Sequence, residues 1–132
     1  MFRRCYSVTP VSRALVVEQL EGINKISQIP WKLLQSQENG KLETKLKAEY
    51  KLKNFPITWE FLNTIALAAH KSRHHPEITT VYNNVTIELT THDLSNNVSQ
   101  LDLDLASTIS EVYTKCSDNS RKVKFSDFLT LP

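Results

Sequence analysis

The stretch Lys41-Leu42-Glu43-Thr44-Lys45-Leu46-Lys47-Ala48-Glu49-Tyr50-Lys51-Leu52-Lys53 sorts into two chemical sets only when read with a period of two. Leu42, Thr44, Leu46, Ala48, Tyr50 and Leu52 fall on one side, and five lysines with Glu43 and Glu49 fall on the other. A helical period would mix the sets. The spacing therefore predicts a strand with one face on a core and one in water, the arrangement of an antiparallel sheet covered on one side. The lysines read as a solvated face, because the interleaved glutamates argue against a phosphate-binding row.

Upstream of this strand, Asn39-Gly40 is a favoured two-residue hairpin turn, since both residue types tolerate positive φ, and Trp31 to Leu34 supplies the partner strand. Leu15, Val16, Leu20, Ile23 and Ile26 recur at near-helical spacing, so a first helix is expected to end before Pro30. Downstream, Thr58 is placed to cap a second helix that starts at Trp59, with Ile57 and Leu62 as a hydrophobic staple. Leu62, Ile65, Ala66 and Ala69 form its apolar stripe, and Pro76 should end it near His74 or His75.

Ile78 to Tyr82 and Val85 to Thr91 are β-branched runs around Asn83-Asn84, a second expected hairpin turn. Val85, Ile87 and Leu89 share one face, while Thr86, Glu88, Thr90 and His92 share the other unless a bulge intervenes. Ser99 and Asp102 form an S-x-x-D capping box for a last helix through Leu105, Ile109 and Val112. The order helix, hairpin, helix, hairpin, helix predicts an α+β domain: a four-stranded antiparallel sheet with about three helices packed on one face. We place the domain at residues 16–115, with a leader or tail over 1–15 and a C-terminal tail over 116–132 that could dock through Phe125, Phe128 and Leu129. An open sheet face with free edges also predicts a homo-oligomer, a dimer or tetramer.

At 132 residues the chain suits one compact domain, and a formal charge of +2 gives no case for a nucleic-acid surface. Cys5 and Cys116 lie near opposite ends with no disulfide or zinc spacing, and no apolar run reaches the roughly 20 residues of a membrane-spanning helix. Neither nucleic acid nor membrane is therefore an expected partner. Arg3, Arg4 and Arg13, several hydroxylated residues and no acid before Glu18 give the N-terminus the composition of a mitochondrial leader. The expected location is the mitochondrial matrix; a basic tail is the plainer alternative.

All four histidines, His70, His74, His75 and His92, fall within one helix-to-strand unit. Three readings follow from the residues alone. Helix-terminal histidines can simply cap carbonyls. His70 and His74 at i, i+4, with His92 and Asp93, could hold a metal, although no H-E-x-x-H order supports this. Histidines can also carry out acid–base chemistry, because their ordinary pKa lies near neutrality.

His70-Lys71-Ser72-Arg73-His74-His75-Pro76-Glu77, then Tyr82, then Thr90-Thr91-His92-Asp93, then Asp102 and Leu105-Ala106, resemble the motifs of the pterin-4a-carbinolamine dehydratase family. Trp31 and the Phe55 to Ala69 segment extend the similarity over most of residues 16 to 113. The resemblance implies that His74, His75 and His92 line a pterin pocket and act as the catalytic histidines, with Glu77, Asp102 and His70 as candidate substrate-binding residues. His70 stands where many members carry an acidic residue. The loop from Leu94 to Val98 is about one residue longer than usual and lacks the glycine common there.

The implied reaction is loss of water from a 4a-hydroxytetrahydropterin to give quinonoid dihydropterin, in tetrahydropterin recycling. No metal and no cofactor are expected. His74 and His92 are expected to exchange protons at the 4a oxygen while His75 orients the ring. A non-catalytic dimerisation or scaffold protein of the same family is the alternative.

Overall fold

The computed structural model describes residues 11–118. Helix α1 (Arg13–Ile26) is followed by strands β1 (Lys32–Glu38) and β2 (Lys41–Lys51), helix α2 (Phe55–Ser72), strands β3 (Glu77–Val81) and β4 (Asn84–Leu89), and helix α3 (Gln100–Asp118). A single 3-10 turn over His92–Leu94 lies between β4 and α3. The strands form one antiparallel sheet in the order β1-β2-β4-β3. This is the expected α+β architecture.

The alternation of β2 is realised from Leu46 onward, whereas Leu42, at the hairpin end of the strand, is exposed and Thr44 only half-buried. Leu46, Ala48 and Tyr50 are buried beside Val85, Ile87 and Leu89 of β4, through the register Leu46↔Leu89, Ala48↔Ile87 and Tyr50↔Val85. The three helices share one core with this sheet face: Val16 and Leu20 of α1, Phe61 and Ile65 of α2, and Leu105, Ile109 and Tyr113 of α3. Burying one such large apolar side chain stabilises the fold by about 1.5–3 kcal/mol. Trp31, fully buried just ahead of β1, donates its Nε1–H to Ser110 Oγ at 2.9 Å and so ties the sheet to α3. The opposite face carries Lys45 and Glu88, paired at 3.2 Å, with Lys47 and Glu49, and no helix among the described residues covers it.

Several boundaries differ from the sequence reading, each for a local reason. Helix α2 starts at Phe55 and is capped by Asn54, whose Oδ1 accepts from Ile57 N–H at 2.9 Å. Pro56 suits the first turn because its missing N–H would have been unpaired there, and Thr58 instead donates its hydroxyl to Asn54 O at 2.7 Å. The same helix stops at Ser72, before the histidine pair, because Arg73 takes a left-handed conformation (φ 55°, ψ 35°). His74 N–H then donates to Ala69 O and Arg73 N–H to His70 O, closing the end in a Schellman motif. The second hairpin turns on Tyr82 and Asn83, one residue earlier than expected, with Tyr82 at φ 53°. Strand β1 runs on to Glu38, and α3 continues past Cys116. Phe125, Phe128 and Leu129 lie outside the described residues.

Candidate active site

Asp102 sits in the first turn of α3 and is fully buried. A buried carboxylate is costly unless donors meet it, and here they do. Oδ2 accepts from Ser99 N–H at 2.8 Å and from the Thr91 hydroxyl at 2.8 Å, and Oδ1 is hydrogen-bonded to His74 Nε2. Thr91 Oγ lies 2.6 Å from Ser99 Oγ. Since the Thr91 proton is directed to Asp102, the Ser99 hydroxyl is the donor in that contact. A carboxylate only accepts, so His74 carries its proton on Nε2 and keeps Nδ1 for other work. Half of the capping box read from Ser99 and Asp102 is present: the carboxylate accepts from Ser99 N–H, while the Ser99 hydroxyl turns to Thr91 and Asp102 N–H donates to Ser99 O at 3.1 Å. The same carboxylate reaches across to His74, just beyond the end of α2.

His92 opens the 3-10 turn after β4, not a strand position, and its side chain is exposed. Its Nδ1 lies 2.7 Å from Asn96 Oδ1, and Asn96 Nδ2 donates to Glu43 Oε1 at 3.3 Å. His92 lines a cleft of about 580 Å³ on the uncovered side of the sheet with Glu77, Thr90, Asn96, Glu43 and Lys45. Glu77, the first residue of β3, lines the same cleft as His92. Thr91 lies between the cleft residues Thr90 and His92 in sequence and donates to Asp102, so the cleft wall and the His74–Asp102 pair share one short backbone segment.

His75 and His70 are both exposed, His75 just beyond the helix cap and His70 in the last turn of α2. The structure thus groups His74 with Asp102 and His92 with Glu77, and leaves His75 and His70 on the surface around them. Among the described residues no group of three or more histidine, cysteine, aspartate or glutamate side chains is placed to hold a metal, and no helix is long and apolar enough to cross a membrane. Sequence reasoning missed Thr91, Asn96 and Glu43 as parts of this site. Thr91 could have been found from its position next to His92, whereas the Glu43 and Asn96 contact depends on how a loop folds onto β2.

A family model described as pterin 4 alpha carbinolamine dehydratase matches residues 10–112. A relative from Picosynechococcus sp., bearing the name of a pterin-4-alpha-carbinolamine dehydratase, is 37% identical over 65% of this chain and 92% of its own. One of the same name from Saccharolobus islandicus is 36% identical over 75% of this chain and 93% of its own. The crystal structure of a transcriptional coactivator/pterin dehydratase from Brucella melitensis superposes with a TM-score of 0.65 at 26% identity, covering 79% of this chain and 98% of that one. Fold and matches together define an α+β hydro-lyase. The chain belongs to the pterin 4 alpha carbinolamine dehydratase family.

Proposed function

We propose that this chain dehydrates 4a-hydroxytetrahydropterin to quinonoid dihydropterin by histidine acid–base catalysis, in the recycling of a tetrahydropterin. The observation that carries this reading is the joining of His74 and the buried Asp102, through Thr91, to a cleft lined by His92 and Glu77. Hydroxide is a poor leaving group, so the 4a oxygen must receive a proton as its bond to carbon breaks. A protonated imidazole supplies that proton, lone-pair density of the ring nitrogen expels water, and a neutral imidazole accepts the proton the ring then sheds. His92 acts at the 4a oxygen, His74 exchanges protons through Nδ1, and His75 orients the ring. Glu77 lines the cleft, Asp102 acts by holding His74, and His70, exposed in the last turn of α2, is the remaining candidate contact to the substrate.

The test is the dehydration rate of chemically generated substrate, followed by absorbance, for the full chain and for His74→Ala, His75→Ala and His92→Ala. Loss of kcat in the first and third, with a raised KM in His75→Ala, supports the division of roles. A background rate in the unaltered chain would favour a scaffold or pterin-binding role.

The domain also forms a homo-oligomer in this reading. Strands β1 and β3 are both sheet edges, every residue of β3 is exposed, and Val81 is 67% exposed. Such an edge invites pairing with a second copy. Light scattering giving a dimer or tetramer mass supports this, and a monomer mass at micromolar concentration contradicts it. The basic segment ahead of α1 acts as a mitochondrial leader in the same reading, with composition as its support.

A further inference from the structure

The loop between β4 and α3 contains two consecutive left-handed residues, Ser95 (φ 55°) and Asn96 (φ 61°), neither of them glycine. Asparagine tolerates this conformation better than most residues, and serine less well, so the loop holds a shape that its backbone does not favour. What keeps it there is a dock on β2. Thr44 N–H donates to Asn96 O at 3.0 Å, the Thr44 hydroxyl donates to Asn97 Oδ1 at 3.2 Å, and Val98 N–H donates to Thr44 Oγ at 2.9 Å. The loop thereby carries the Asn96 amide between Glu43 of β2 and the His92 ring.

That position fixes the direction of the amide. An ionised Glu43 carboxylate has only lone pairs to offer, so the Asn96 group facing it is the NH₂. Turning the amide over would set Oδ1 against Glu43 and NH₂ against His92, opposing two acceptors at the first contact. The oxygen therefore faces His92 Nδ1 at 2.7 Å. An amide oxygen only accepts, so that nitrogen must carry the ring proton.

We infer that Asn96, oriented by Glu43, is a positioning residue that holds neutral His92 as its Nδ1–H tautomer and so makes Nε2 the nitrogen that exchanges protons in the cleft. In the neutral ring Nε2 bears the lone pair that takes a proton. In the protonated ring the same Nε2–H is the donor, while Nδ1–H stays on Asn96. One atom thus serves both halves of a proton exchange without rotation of the ring. The charged groups around it in the cleft are Glu38, Glu43, Lys45 and Glu77, with Asp93 next in sequence. The tautomer assignment stands on the Asn96 geometry, and only its effect on rate rests on the dehydratase reading.

The experiment is two-bond ¹H–¹⁵N correlation of the histidine rings in the full chain, at a pH where His92 is neutral, with His92→Gln identifying the resonance. The same spectra and the dehydration rates are taken for Asn96→Ala and Asn96→Asp. The expected results are an Nδ1–H tautomer in the unaltered chain and in Asn96→Asp, which keeps an acceptor. Asn96→Ala is expected to shift towards Nε2–H, the form an unconstrained histidine side chain favours in water, and to lose kcat by about tenfold at unchanged KM. An Nε2–H tautomer in the unaltered chain, or no change of tautomer in Asn96→Ala, would overturn the inference. A tautomer that shifts while kcat holds would overturn the role in proton exchange. The expected tautomers in a chain with no dehydratase activity would uphold the Asn96 geometry and refute the proposed reaction instead.

Discussion

His74 and Asp102 lie 28 residues apart in sequence and are hydrogen-bonded through Nε2 and Oδ1. The pair binds the residues just after α2 to the first turn of α3. Asp102 is thus both a helix-terminal carboxylate, where the helix dipole favours negative charge, and the anchor of a ring beside the cleft.

Asp102→Asn should lower both stability and rate. An amide cannot accept from His74, Thr91 and Ser99 as a carboxylate does, and losing hydrogen bonds to a buried charged group costs about 1.5–3 kcal/mol. Urea denaturation measures the first effect and dehydration kinetics the second. An unchanged midpoint would mean that the carboxylate is not the organising group.

Thr91→Val keeps the shape of the side chain and removes only its hydroxyl. It leaves Asp102 Oδ2 short of one donor and the Ser99 hydroxyl with only its longer 3.5 Å contact to Asp102 Oδ2, at a cost of about 1.5–3 kcal/mol. The same change at Thr79, exposed on β3, should cost less than about 0.5 kcal/mol. Equal losses at the two positions would contradict the hydrogen-bond chain described for Thr91.

Stability should fall as pH rises above 9. Burial, with a smaller contribution from Glu60, pushes the Cys116 thiol from 9.0 up to about 11, and burial also raises the Tyr50 phenol. The folded state then holds protons that the unfolded chain releases, so unfolding free energy declines across the window between about 9 and 11. Cys116→Ser should flatten this slope in urea titrations at pH 8, 9.5 and 10.5. In the native state at pH 7.5 the thiol should resist alkylation.

The Tyr50 hydroxyl is buried with no hydrogen-bond partner among the described residues. Tyr50→Phe keeps the contacts of its ring with Phe61 and Tyr113 and removes an unsatisfied group. Its unfolding free energy should stay the same or rise by up to about 1 kcal/mol. A loss of 2 kcal/mol or more would show that the hydroxyl has a partner.

Removal of a leader must respect α1. Ser12 caps this helix by accepting from Leu15 N–H at 3.3 Å, and Val11 packs against the core. N-terminal sequencing of the cellular protein should therefore find a start after Phe2 and no later than residue 11. A start at Met1 or Phe2 would contradict the leader.

The strand Lys41 to Lys51 was legible because nothing but a period of two explains its residues, and its neighbours followed from turns and prolines. Helix ends were less so. Arg73 in the left-handed region ends α2 before His74, and no residue preference marks an arginine for that role. The site was half legible. Histidines and a capping aspartate show in sequence because few residue types perform their chemistry. The meeting of Asp102 with His74, and of Asn96 with Glu43, depends on how α3 and the loop before it pack, which no local pattern encodes.

Dehydration of the pterin carbinolamine in the cleft lined by His92 is tested by the dehydration rate of the full chain against His92→Ala. We predict acceleration over the uncatalysed reaction, reduced at least about a hundredfold in the variant with its fold retained by circular dichroism. A rate equal in the two proteins, or equal to background in both, would contradict the account.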